Sequence, residues 1–295
     1  MSAATVALPR RRGASSTSAG RLRRALRRYP IGFLGAAIVL FVVVIALLAD
    51  VITPYDPAWQ IDERLMPPNA DYVLGLDEFG RDVYSRIIYG ARVSLYVGMV
   101  SVVFIALPIG VTLGVLAGYF RGWVDTLLSR IVDVMFAFPS IILAIVIVGI
   151  MGPSLTNAMI AIGIVYAPTF ARVARGSTLA VAGLDYVMAS RTIGARDGRI
   201  ILRHVLPNIA APLIVQTTLA LSTAILAEAA LSFLGLGTQP PTPSWGTMLN
   251  TGRRYMELAP WVAIYPGVAI MVAVLGFNLA GDGLRDALDP RLREA

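Results

Sequence analysis

The chain has 295 residues, 57% of them hydrophobic and 15% charged, with a formal net charge of +7 and no cysteine. Soluble domains carry about a quarter charged residues, so the composition argues against a water-soluble globule, and the missing cysteines exclude a disulfide framework, a thiolate metal site and a cysteine nucleophile. All 25 basic residues are arginine; a phosphate-cradling G-x-x-x-x-G-K-[ST] loop needs its lysine, so that nucleotide site is excluded too.

Residues 1–29 hold eight arginines and no acidic residue, which predicts a disordered basic arm. Ile31–Ala49 follows, nineteen residues without a charge and long enough to cross a hydrocarbon core of about 30 Å. It exceeds the apolar core of a secretory signal, and no clear A-x-A cleavage site follows. Asp50–Arg92 holds four arginines against eight acidic residues. Its first part, to about Asn69, is proline-rich and irregular; after Gly80, RDVYSRIIYGARVSL reads as an amphipathic helix at the membrane interface, ahead of a second span at Val93–Phe120.

Val134–Ala171 is 38 uncharged residues, about 57 Å as one helix and too long for one crossing. It breaks at Gly152-Pro153-Ser154-Leu155-Thr156-Asn157, a turn followed by a helix start, giving a third and a fourth span. Val205–Ala227, continuing past Glu228 to about Leu234, is a fifth, and Leu258–Gly281 a sixth; between them lies Gly235–Met256, proline-rich with Trp245. The fold class is therefore an all-α polytopic membrane protein with six transmembrane helices. It divides into the arm (1–29), the first transmembrane helix with an outer segment (30–92), a five-helix core (93–281) containing a loop at 185–206, and a cytoplasmic tail (282–295). Six is even, so both termini share one side, and the basic arm places them in the cytoplasm. Arg172–Leu206, on that same side, carries six arginines against two aspartates. The two outer loops either receive an external protein or close the outer mouth; the sequence leaves both open.

The largest inner loop reads YVMASRTIGARDGRIILRHVLPN (Tyr186–Asn208). Tyr186–Ile193 forms about two helical turns, and Gly194 ends them. Asp197 is placed to cap a second helix in which Ile200, Ile201, Val205 and Leu206 recur at helical spacing, with Pro207 marking entry into the fifth span. Ala189, Ser190 and Gly194 are small, so another surface can come close. A connector whose arginines only hold topology is an equal reading of these residues alone. Glu228 and Asn278 are ionisable or polar groups within spans, candidates either for lining a translocation pathway or for tying helices together. Asp133 is better placed to pair with Arg130 or another helix than to bind a solute. Pro108, Pro139, Pro168 and Pro266 each free a backbone carbonyl inside a span. With His204 as the single histidine, H-E-x-x-H zinc chemistry is excluded, and no G-x-S-x-G occurs.

Ala-Ser-Arg-Thr-Ile-Gly at 189–194, followed after nine residues by His-Val-Leu-Pro at 204–207, resembles the E-A-A-x-x-x-G…I-x-L-P motif of bacterial ABC-importer permeases. Met188 stands where that family has glutamate, Ser190 where it has its second alanine, and His204 where it has isoleucine. Leu74–Leu95, Gly118–Asp133, Leu231–Leu249 and Asn278–Arg291 are similar to the C-type permease of dipeptide and oligopeptide importers. The resemblance implies the type I ABC-importer permease fold and a permease subunit that forms half of a pathway for di- or oligopeptides across the bacterial plasma membrane. It implies a B-type permease partner, two cytoplasmic ABC ATPase subunits or domains, an external solute-binding protein and surrounding membrane lipid, with no role for nucleic acid. It assigns ATPase coupling to Met188, Ala189, Ser190, Arg191, Gly194, Ala195, Leu206 and Pro207. No catalysis, metal or cofactor is expected in this chain; ATP and Mg belong to the ATPases. Related permeases carry nickel chelates or other small solutes, so the cargo stays open. An ion-coupled secondary transporter would show inverted repeats and midplane ion ligands, and neither is visible.

Overall fold

A computed structural model describes residues 30–288; the basic arm (1–29) and residues 289–295 of the tail lie outside the described residues. Those described are almost wholly helical: α1 (Pro30–Leu47), α2 (Val83–Phe120), α3 (Gly122–Phe136), α4 (Ser140–Met151), α5 (Leu155–Ala182), α6 (Asp185–Thr192), α7 (Asp197–Phe233), α8 (Trp245–Gly252) and α9 (Trp261–Leu288). Five of them, α1, α2, α5, α7 and α9, are long and apolar enough to cross a membrane, and the pair α3–α4 is so only when its two helices are taken together, as a broken span or a re-entrant loop.

Pro30 opens α1, where its missing N–H and preset φ cost nothing. The helix buries only Gly35, Val42 and Ala46, leaving Leu34, Leu40 and Phe41 exposed, as suits a helix on the lipid side of a bundle. In α2 the expectation of a separate interfacial helix gives way: Asp82 caps the start, accepting from Ser85 N at 2.8 Å and Ser85 Oγ at 2.6 Å, and the helix runs on unbroken for 38 residues. The amphipathic part is the first turns of the span itself. Its continuity depends on a wider, π-helical stretch over Val100–Ala106, ending two residues before Pro108. A proline ring collides with the carbonyl four residues back, and a π turn, closed here by Leu107 N–H on Val102 O, moves that carbonyl aside. The same device recurs at Ile201–Val205, two residues before Pro207.

The third crossing also departs from expectation. A proline biases the residue before it away from helix; at Phe138–Pro139 the helix breaks and α3 meets α4 at 89°. α4 has 12 residues, about 18 Å, too short to cross a bilayer core alone. Facing α5, α3 presents carboxylates: Asp125 is hydrogen-bonded to Arg175 Nη2 at 2.7 Å, and Asp133 lies 3.8 Å from Arg172. Asp133 thus pairs with another helix rather than with Arg130.

A tight seam joins α2 to α5. A Cβ added at Gly110 would come within 2.3 Å of Ala167 O, and at Gly114 within 2.3 Å of Ala171 O. Small residues at four-residue spacing allow such backbone approach, which supplies packing energy that lipid cannot. Most buried side chains of α2, α4, α5 and α7 form one apolar core, which also takes in Val187 of α6; a second core joins α1, α8 and α9 to the first turns of α2 and the last turns of α7.

Candidate functional site

The bundle has two differently built ends. At one, residues 53–82 and 235–260 form a cap bolted down by buried polar contacts. Arg86, 5% exposed, donates to Pro57 O at 2.7 Å and sits 3.3 Å from Asp77, which also pairs with Arg81 at 2.7 Å. Trp245 and Trp261 donate their indole N–H to Ile87 O (2.9 Å) and Leu76 O (3.2 Å). Burial, with the charge of Asp77 alongside, pushes the Glu78 carboxyl above its usual range. A hydrogen bond to Asp62 raises the Tyr72 phenol to about 12, and Arg92, then Tyr89, hold Asp50 below the usual carboxylate range. Trp59, Val73 and Phe79 remain exposed on the cap.

At the other end lies the loop between α5 and α7. Val187 is the one residue of α6 buried in the core, while Tyr186 and Met188 on either side are exposed. Ala189 is exposed, and Ser190, half-buried, donates to Tyr186 O at 2.8 Å. The helix ends in a paired closure, Ala195 N–H to Ser190 O (3.1 Å) and Gly194 N–H to Arg191 O (2.9 Å), with Gly194 at φ +81°; this is the six-to-one and five-to-two pattern that requires a left-handed residue. Ile193, just before it, is 85% exposed. Asp197 does not cap α7 as expected, because its carboxylate instead accepts the Tyr119 hydroxyl at 2.7 Å. The Arg191 guanidinium lies 4.6 Å above the same tyrosine ring. Ile200 and Val205 are buried, and Arg196, Arg199 and Arg203 stand exposed.

The structure gathers Met188, Ala189, Ser190, Arg191, Gly194 and Ala195 at this bend. Leu206 and Pro207 lie apart, in the body of α7, roughly 14 Å along from its start at 1.5 Å per residue. Glu228 lies farther still, near the cap end, with no exposed surface. Its carboxylate accepts from Ser232 (2.7 Å), Thr238 (3.3 Å) and Ser94 (3.3 Å), joining α7, the cap loop and α2. Asn278 accepts from Ser222 at 2.7 Å, joining α9 to α7. Both have the geometry of ties between helices. Sequence reasoning missed Tyr119, whose partners lie more than seventy residues away; a phenol at the end of a glycine-spaced helix gives no signal of them. It also missed the seam, although Gly110, Gly114 and Gly118 announce it by their spacing.

Among the described residues no group of three or more metal-ligating side chains occurs. The described residues thus form a multi-pass membrane bundle with a capped end and an exposed, basic, bent loop at the other. The family comparison makes this specific. Residues 110–294 match the binding-protein-dependent transport system inner membrane component, and residues 19–68 match the N-terminal transmembrane domain of oligopeptide transport permease C. The chain belongs to this family of binding-protein-dependent inner membrane components, and is the permease subunit of an ABC importer, whose partners include ATPase and permease subunits.

Similar proteins include the dipeptide transport system permease protein of Alkalihalophilus pseudofirmus, 49% identical, with 92% of this chain and 89% of that one covered. The glutathione transport system permease protein of Pectobacterium atrosepticum is 46% identical (92% and 90%), and the di/tripeptide transport system permease protein of Pseudomonas aeruginosa 49% (88% of each). The fold is that of a chain of the inward-facing MetNI methionine ABC transporter, with a TM-score of 0.57 at 23% identity, covering 69% of this chain and 96% of the other.

Proposed function

We propose that the chain forms one half of a pathway for di- or oligopeptides, paired with a B-type permease, with the α6 bend docked on a cytoplasmic ATPase. The single observation that carries the docking is the bend itself: Tyr186, Met188 and Ile193 are exposed around a glycine whose open side is clear, since a Cβ added there would meet no described residue beyond its chain neighbours within 4 Å, while Val187 and Ile200 anchor both limbs in the core. An ordered, partly apolar prominence with a small residue at its apex fits a groove on another protein, and a rigid helix at a subunit interface passes a partner's closure into attached spans. With the arginine-rich loop inside, both termini are cytoplasmic and the cap faces outward. There Trp59, Val73 and Phe79 offer an external solute-binding protein its contact. ATP and Mg are held by the ATPases, not by this chain. The peptide cargo is supported by the relatives named for dipeptide, di/tripeptide and glutathione transport, the last carrying a peptide-like solute. Uptake into vesicles holding the assembled transporter, measured with a peptide panel with and without ATP, tests the reading. ATP-dependent accumulation of peptides supports it; uptake driven by an ion gradient without ATP contradicts it.

A further inference from the structure

We propose that Tyr119 is a positioning residue that ties both limbs of the loop to α2, so that displacement of the bend reaches the α2–α5 pair as well as α7. The inference rests on the docking role proposed above for that bend.

Tyr119 is the penultimate residue of α2 and is 4% exposed. Immediately before it, Gly118 closes the seam with α5: a Cβ there would lie 2.8 Å from Arg175 O and 2.9 Å from Thr178 Cβ. At this level α2 and α5 touch backbone to backbone. The two limbs of the loop are joined in sequence only through the turn at 193–196. The phenol spans that turn, donating its proton to Asp197 Oδ1 at 2.7 Å on the α7 limb. On the α6 limb, Arg191 stacks on the ring at 4.6 Å and points Nε at the Tyr119 hydroxyl oxygen at 3.4 Å. One side chain therefore holds an anionic limb and a cationic limb at once. The Asp197 bond is charge-assisted, the stronger kind. Without it α7 keeps the apolar anchor at Ile200 but loses its polar link to α2 at the loop end, keeping only the distant one between Glu228 and Ser94, and the turn at Gly194 becomes a hinge through which α6 can shift without carrying the spans.

The test uses the complete assembled transporter in vesicles, measuring ATP hydrolysed per solute moved in four variants, with the Met188→Cys crosslink to the ATPase measured alongside. Tyr119→Phe and Asp197→Ala should each raise the ratio about fivefold, the fold-change equivalent to about 1 kcal/mol for one lost hydrogen bond. The double variant should be no worse than either single one. Asp197→Asn should restore a near-normal ratio, because its amide oxygen still accepts from the phenol. An unchanged ratio with falling yield, or effects that add in the double variant, overturns the inference and leaves Tyr119 a packing residue. A crosslink that forms while the ratio stays constant overturns this inference alone. Its absence in the otherwise unchanged chain overturns the docking reading, and this inference with it.

Discussion

Replacing Gly194 by valine strikes the bend at its apex. At φ +81° an L side chain costs about 1–2 kcal/mol, more when β-branched. No clash within the chain adds to this, because a Cβ there meets nothing within 4 Å. At about 1.4 kcal/mol per factor of ten, the population of the bend falls roughly 5- to 30-fold relative to an opened turn. The loop lies outside the spans, so membrane insertion and yield should stay at wild-type levels, while solute uptake per transporter in vesicles falls about tenfold. Gly194→Asn separates strain from bulk, since asparagine enters the left-handed region more readily. It keeps the bend but adds volume on the side a partner would occupy, so its uptake should lie between the valine variant and wild type. Wild-type uptake by Gly194→Val, with normal insertion, would refute the idea that this bend couples anything.

Gly114→Leu should lower yield and thermal stability by about 1–3 kcal/mol through overpacking, because even its Cβ would meet Ala171 O at 2.3 Å; unchanged melting in detergent would show that the seam opens freely. Glu228→Leu strips the acceptor from the Ser94, Ser232 and Thr238 hydroxyls and should cost about 3 kcal/mol, whereas Glu228→Gln keeps an acceptor and should melt close to wild type. Should the glutamine variant melt normally yet fail to transport, Glu228 contacts the solute. Glu78 titrates above its usual value because it is buried, so its stability contribution is complete below the unfolded pKa of about 4.3 and is lost as pH rises through the folded value. Melting of Glu78→Gln should therefore overlay wild type at acidic pH and exceed it near pH 8; a wild-type advantage at pH 8 would reverse that sign.

What the sequence disclosed followed from hydropathy and from local rules. Runs such as Ile31–Ala49 and the Gly152–Asn157 turn placed helices because span length and turn chemistry are local properties, and Gly194 announced the end of α6 for the same reason. The break at Phe138–Pro139 was harder to read. The same residue type is absorbed by a π turn at Pro108, stands at a helix break at Pro139 and sits inside an uninterrupted helix at Pro168. Asp197 illustrates the second limit: at a helix start it suits a cap, yet a phenol 78 residues away offers a better donor. At the bend, the side chains that face outward were legible as small or apolar, while the contacts that steady it from behind were not.

Because the natural chain has no cysteine, a single Met188→Cys variant carries one thiol, and the most direct measurement is its disulfide trapping against cysteines placed along the ATPase groove in the assembled transporter. Docking predicts a crosslink whose yield changes between ATP-bound and nucleotide-free states. A thiol labelled only from outside the cell, or never trapped on the ATPase in either state, would contradict it.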